Sequence, residues 1–171
     1  YEEREWITPL EEFVRRTADA GKPQVGICFG HQIMAQAFGG TVEKSEKGWG
    51  VGVHRYEIIN RPSWMRPEAS RVTCAVSHQD QVTKAPAAAK LVASSEFCPN
   101  GALAYAQGPA VSFQMHPEFE HEFAASLITL RNDRVAKPLA DEALASLTGR
   151  SDRAVLAQWI VNFLLSPKDA I

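Results

Sequence analysis

The chain has 171 residues, 45% of them hydrophobic and 22% charged, with a formal net charge of −2 at pH 7. That is enough apolar material for the core of one globular domain. So balanced a charge leaves no electrostatic case for nucleic acid or an anionic membrane surface as a partner. No apolar run nears the ~20 residues of a spanning helix and no signal-like segment is visible, so no membrane partner is expected. The three cysteines, Cys28, Cys74 and Cys98, are odd in number and widely spaced. They fit neither a disulfide framework nor a zinc ribbon, and a reducing, cytoplasmic setting is expected.

Taken in order, Thr8-Pro9-Leu10-Glu11 predicts a helix start, with Thr8 as cap, Pro9 in the first helical position and Glu11 closing a capping box. Leu10, Phe13, Val14 and Thr17 form its stripe, and Gly21 and Pro23 end it. Residues 24–28 read as a short buried strand and 30–38 as a second helix, stopped by Gly39-Gly40. Residues 41–43 start an extended segment, and the glycine-punctuated stretch 48–53 leads from a loop into a strand through Ile59. Residues 71–77 alternate as a strand that ends at Ser77-His78-Gln79-Asp80. Three more short strands follow at 90–95, 102–106 and 110–115, with turns at Asn100-Gly101 and Gly108-Pro109. Phe123, Ala124, Leu127 and Ile128 mark a helix, and another is expected near 139–147. Ser151-Asp152 caps a last one, with Val155, Leu156, Trp159, Ile160, Phe163 and Leu164 on one face. The early helix, strand, helix order points to parallel α/β layers.

Val25-Gly26-Ile27-Cys28-Phe29-Gly30-His31-Gln32 places a cysteine where a strand hands over to a helix. Glycines on either side remove side chains that would collide in so tight a turn. The thiol then stands at the carboxyl end of the sheet, beside a helix N-terminus whose partial positive charge favours an anion. The backbone N–H of Phe29 is placed to receive an oxyanion. A thiolate nucleophile needs a base, and the base an orienting group. His116-Pro117-Glu118 offers both, since in an extended segment residues two apart point the same way. Cys74, within a strand, and Cys98, beside Pro99, read as packing residues. His31 and His54 read as packed or hydrogen-bonded, and Trp49 either lines a pocket or shields a loop. His116, Glu118 and His121 lack the spacing of a helical zinc motif, so no metal is expected. The glycines at 48–52 have neither the following helix nor the Lys-Ser/Thr of a phosphate loop.

The stretch Gly26-Ile27-Cys28-Phe29-Gly30-His31-Gln32, then Ser77-His78-Gln79-Asp80, then His116-Pro117-Glu118, in this order, resembles the class I (triad-type) glutamine amidotransferase family. The likeness is nearest to its stand-alone, GMP-synthase-like members and runs over about residues 5–130. It implies an α/β fold, with a flavodoxin-like open, mostly parallel sheet and helices on both faces. It also implies a Cys28, His116 and Glu118 triad that hydrolyses the γ-amide of glutamine through a γ-glutamyl thioester, releasing ammonia without a cofactor. Gln32 matches the position that contacts the glutamine substrate, and His78 and Asp80 border the site. Family members begin with a strand and a glycine-containing loop that lends a second oxyanion N–H. The expectation is therefore a single domain over 1–171, N-terminally incomplete, with 131–171 as a C-terminal helical extension. No ammonia-using domain is expected to follow. The ammonia acceptor would be a separate partner, or the small-molecule substrate would be a γ-glutamyl peptide or conjugate, or the domain would bind without catalysing.

Overall fold

The computed structural model describes residues 4–167. In chain order it holds α1 (Ile7–Asp19), β1 (Gln24–Ile27), α2 (Phe29–Ala37), β2 (Thr41–Lys44), β3 (Gly50–Ile58), β4 (Arg71–His78), β5 (Asp80–Lys84), β6 (Ala89–Ser94), β7 (Ala102–Tyr105), β8 (Ala110–Phe113), α3 (His121–Leu130), α4 (Lys137–Ser146) and α5 (Arg153–Leu165). The strands form a six-stranded sheet in the order β1-β8-β7-β6-β3-β4 and a separate pair, β2-β5. None of the described helices is long and apolar enough to cross a membrane.

The expected layering of helices on a sheet is present, but not the mostly parallel pairing. In the six-stranded sheet β1 and β8 are parallel, and the remaining ladders are antiparallel. The connections explain this. β6, β7 and β8 follow one another through short turns, which can join only antiparallel neighbours, whereas a parallel pair needs a long crossover. β1 and β8 are far apart in the chain and have that freedom.

Alternation divides the core. On β7 and β8, Ala102, Ala104, Val111 and Phe113 enter one cluster with Trp64, Leu156, Trp159 and Phe163, beneath α5. Leu103, Tyr105 and Ala110 enter another with Val14, Met34 and Ala35, beneath α1 and α2. α3 and α4 cover β3 and β4 through Val51, Ala75, Ile128 and Leu147. At Gly52 (φ 83°) a Cβ would lie 2.8 Å from the Ala143 Cα, so α4 packs on β3 where no side chain intervenes. Each large core side chain contributes roughly 1.5–3 kcal/mol of transfer free energy.

Several local expectations change. α1 starts at Ile7, with Trp6 at the N-cap and no side-chain cap bond. Thr8 and Pro9 lie inside the first turn, and Glu11 accepts a hydrogen bond from Gln36 Nε2 at 2.5 Å instead of closing a capping box. The buried stripe is Ile7, Val14 and Ala18, spaced for a helix face, and Phe13 is exposed. A strand that the sequence pattern does not predict, β5, follows β4 after Gln79 alone and pairs with β2, burying Val42 and Val82. At α5, Asp152 holds the N-cap position without capping the helix. Its N–H donates to the Thr73 carbonyl at 2.7 Å, and its carboxylate accepts from the Thr73 N–H at 2.9 Å. Together these cover part of the free edge of β4. Leu164, expected on the buried face, is exposed.

Candidate active site

Ile27 of β1 stands opposite Phe113 of β8 in the parallel ladder. The carboxyl ends of both strands therefore open at the same edge, where an open α/β sheet offers a crevice. Cys28 is the next residue of the first strand, and its N–H donates to the Phe113 carbonyl at 2.8 Å. α2 begins immediately, so the chain reverses within one residue. Cys28 takes φ 50° and ψ −99°, and it is the one non-glycine residue with positive φ among those described. Such a conformation costs on the order of 1–3 kcal/mol and persists only where its surroundings impose it.

Gly26 is part of what imposes it. A Cβ there would lie 2.5 Å from the Gly30 carbonyl oxygen and 2.5 Å from Met34 Sδ, so β1 and α2 meet backbone to backbone. Gly30 differs from expectation: a Cβ on it would meet nothing within 4 Å. It leaves the first turn of α2 bare instead of relieving a collision. The opening N–H groups of a helix lack intrahelical partners, so the Phe29 N–H is free of the helix's own bonding beside the thiol.

Beyond β8 the chain alternates Phe113, Gln114, Met115, His116. Gln114 N–H donates to the Gly101 carbonyl at 2.9 Å and His116 N–H to the Ala75 carbonyl at 2.9 Å, which pins the segment across the sheet. Pro117 and Glu118 then form a turn closed by the Phe119 N–H on the His116 carbonyl at 3.2 Å. The expected meeting of His116 and Glu118 occurs, in a turn and not in an extended strand. His116 Nδ1 donates to Glu118 Oε1 at 2.6 Å, which leaves the other ring nitrogen for Cys28. Phe119 stacks flat on the imidazole, 3.9 Å between centroids and 11° between planes.

Burial opposes charge on the ring, but the hydrogen bonds to Cys28 and to Glu118 outweigh it and raise the His116 pKa to about 9. Burial pushes the Glu118 carboxyl up, and its bond to His116 wins and lowers it. Near neutral pH this histidine is an imidazolium held between a carboxylate and a sulfur. A thiol, a charged imidazole and a carboxylate are thus brought together, with a helix N-terminus alongside.

The remaining expected residues divide. Gln32 Nε2 donates to the Asp80 carbonyl at 2.8 Å and to Gln114 Oε1 at 3.2 Å, so its own oxygen is the part left for a ligand. Asp80 lines the same cavity as Gln32, a space of about 260 Å³ walled also by Trp6, Phe29, Ile33 and Gln36. Trp6 and Phe29 meet there at 5.6 Å between centroids. His78 does not face this cavity. It is buried against Phe97, with Nδ1–H on the Asp80 carbonyl at 3.1 Å, and burial lowers its pKa to about 4. It is a neutral brace for the corner between β4 and β5. Among the described residues no group of three or more His, Cys, Asp or Glu could hold a metal ion.

Sequence reasoning missed Gln114, fully buried with its Nε2 3.5 Å from Cys28 Sγ, and Phe119. The signal for Gln114 lies in the alternation itself, since Ser112, Gln114 and His116 fall on one side of an otherwise apolar run. Behind the elbow, Ser112 Oγ bonds His31 Nδ1 and Tyr105 OH, each at 2.7 Å. Burial takes the His31 pKa down to about 3, so that ring is neutral and ties α2 to β7 and β8.

Comparison with known proteins fits this geometry. The family model for class-I glutamine amidotransferases matches residues 2–130. A glutamine-hydrolyzing GMP synthase subunit of Methanospirillum hungatei is 36% identical over 112 residues, covering 66% of this chain and 57% of that protein. γ-Glutamyl peptidase 3 of Arabidopsis thaliana is 30% identical over 169 residues, covering 94% of this chain and 68% of that protein. The crystal structure of a glutamine amidotransferase from Methylobacillus flagellatus superimposes with a TM-score of 0.77 at 21% identity, covering 99% of this chain and 72% of that one. The alignments span a little over half the length of the GMP synthase subunits.

Proposed function

The chain belongs to the class I glutamine amidotransferase family, and from that membership we propose that it is a cysteine hydrolase of γ-glutamyl amides, with Cys28, His116 and Glu118 as its triad. The observation that carries the reading is the His116 ring, charged near neutral pH, bonded to Glu118 and turned to Cys28. The Cys28 sulfur attacks the amide carbon of glutamine. Its electron pair forms the C–S bond, and the carbonyl electrons move onto oxygen, where the Phe29 N–H receives them. As the C–N bond breaks, the His116 imidazolium gives its proton to the leaving nitrogen, which departs as ammonia. The product is a γ-glutamyl thioester and a neutral imidazole. That imidazole takes a proton from water, whose oxygen attacks the thioester. Glutamate leaves, and the sulfur and imidazolium are restored. Glu118 holds the ring through Nδ1 during both halves. The Gln32 oxygen and the Asp80 edge of the cavity bind the amino-acid end of the substrate. No cofactor enters this scheme, and the subunit names of the GMP synthase relatives support a separate protein as the ammonia acceptor.

Incubation with glutamine and measurement of ammonia and glutamate tests the proposal. Stoichiometric release by the wild type, lost in Cys28→Ala, is the expected result. No release, or equal release by the variant, refutes it.

One observation favours a second reading. The alignment with the plant γ-glutamyl peptidase covers 94% of this chain, against 66% for the Methanospirillum hungatei GMP synthase subunit. In that reading the same thioester forms and the leaving group is an amine or peptide. Comparing kcat/KM for glutamine with that for γ-glutamyl dipeptides separates the two, and a strong preference for free glutamine removes the peptidase reading.

A further inference from the structure

Resting on the triad reading, we propose that Gln114 is a positioning residue for the Cys28 sulfur and that Gln32, directed by the Asp80 carbonyl, sets which end of the Gln114 amide faces the sulfur. The polarity follows from chemistry that leaves one choice at each step. A carbonyl oxygen only accepts, so Gln32 must present its NH₂ group to Asp80, at 2.8 Å. The second hydrogen of that nitrogen points to Gln114, which must answer with its oxygen, at 3.2 Å. The Gln114 NH₂ is thereby turned toward Cys28 Sγ, 3.5 Å away.

A flipped Gln114 would set N–H against N–H and aim its oxygen at the sulfur. Gln114 is 0% exposed, so water cannot make good the lost bond. Its orientation is biased by roughly tenfold or more. The sulfur then has two donors, the His116 ring and the Gln114 amide, from alternate residues of the segment after β8. The imidazolium can leave its place to protonate the departing nitrogen. The amide cannot give up its proton, and it keeps the sulfur aimed while the ring works. Gln32 sits between the cavity and this amide, so the residue expected to feel the substrate also fixes the donor on the nucleophile.

The test is alkylation of Cys28 in the free protein by iodoacetamide across pH, with no substrate present. Gln114→Met, close in shape and without a donor, is expected to slow alkylation at pH 7 by about tenfold. In turnover kcat falls, while KM for glutamine stays within about threefold, as for a residue acting on the nucleophile. Gln114→Glu, which turns an anionic oxygen to the sulfur, slows alkylation further. Gln32→Leu alone slows it by about threefold, and adding it to Gln114→Met changes nothing more, because the relay is already cut.

A lower Tm with a wild-type alkylation profile in Gln114→Met would reduce Gln114 to packing and overturn the proposal. So would additive effects of the two substitutions. If Gln114→Met does not fold, Gln32→Leu decides alone, and an unchanged profile overturns the relay. Ammonia release by the wild type is scored separately, so failure of the hydrolase reading and failure of the relay give different results.

Discussion

Cys28 and the pair Cys74 and Cys98 carry the same thiol, and the fold treats them in opposite ways. Cys74 lies inside β4 and Cys98 in the turn before β7, both with 0% exposure, in a cluster with Tyr56, Val72, Val76 and Met115. Burial pushes each of those thiols up to about 12. Cys28 stands one residue past the end of β1, partly exposed, on a strained backbone with hydrogen-bond donors on two sides. In a strand the side chain is delivered into a sheet face and desolvated. At the exit of a parallel pair it is delivered to an edge where a second strand end supplies other side chains. In the proposed mechanism reactivity follows from position at a strand end, and cysteine supplies only the capacity for it.

The widest separation is expected in turnover. Cys28→Ala is predicted to lower glutamine hydrolysis by about 10³-fold or more, as loss of a covalent nucleophile does. Cys74→Ala and Cys98→Ala stay within about threefold of wild type once folded. Ammonia assays on the three purified variants check this, and comparable losses in all three would break the contrast. Next comes the scaffold of the elbow. Gly26→Ala places a methyl 2.5 Å from the Gly30 carbonyl, a backbone atom that moves only if α2 moves. Destabilisation of about 2–4 kcal/mol is expected, with turnover falling even where the variant folds. Urea unfolding measures it, and wild-type stability would mean that α2 can shift away at little cost.

The Cys28 elbow and its His116–Glu118 counterpart were legible because they are local. Gly26 lets β1 and α2 close on each other, and a proline between His116 and Glu118 constrains the backbone, wherever the chain goes. What was not legible depended on partners distant in sequence. β5 exists because Val42 and Val82 meet across the pair, and Asp152 leaves its helix uncapped because Thr73 on β4 competes for its carboxylate. His78 was expected at the rim of the site, yet burial against Phe97 turned it into a brace. Gln114 escaped notice because a buried glutamine has meaning only once Cys28 and Gln32 converge on it. The mostly parallel sheet was an expectation from the resemblance, and the short turns between β6, β7 and β8 argue against it for this part of the chain.

A smaller effect sharpens what the edge position supplies. Glu118→Gln removes the carboxylate partner of His116 while keeping the shape. One of the groups that raise the ring's pKa is gone, so its pKa falls from about 9 toward the ordinary 6.5. The proposed mechanism needs the imidazolium to protonate the leaving nitrogen. kcat/KM is therefore expected to fall on the alkaline side near pH 9 in the wild type and at lower pH in the variant, with about tenfold less activity at pH 8. Stability follows the same sign. A folded pKa raised above 6.5 contributes stability that is full below pH 6.5 and is lost as pH rises through about 9. The pH dependence of Tm in this range should flatten in Glu118→Gln, and an unshifted alkaline limb would detach Glu118 from the ring's charge.

The smallest expected effect tests the other half of the contrast, that Cys74 is there to be packed. Its sulfur fills space between β4 and the residues beneath α5, in the cluster that holds Leu156 and Trp159. Cys74→Ala leaves a small void and no unpaired strong donor, since a thiol donates weakly. A loss of about 1–2 kcal/mol follows from the missing contacts and partial collapse around them. Cys74→Ser keeps the size but buries a hydroxyl in an apolar cluster, so it should cost more than alanine in spite of its closer shape. That inversion distinguishes a packing thiol from a polar or chemical one. Thermal melts of the two variants, with ammonia release measured well below Tm, give both readouts. A serine variant as stable as wild type, or a selective fall in turnover with an unchanged melt, would place Cys74 among the working residues and erase the distinction between strand interior and strand end.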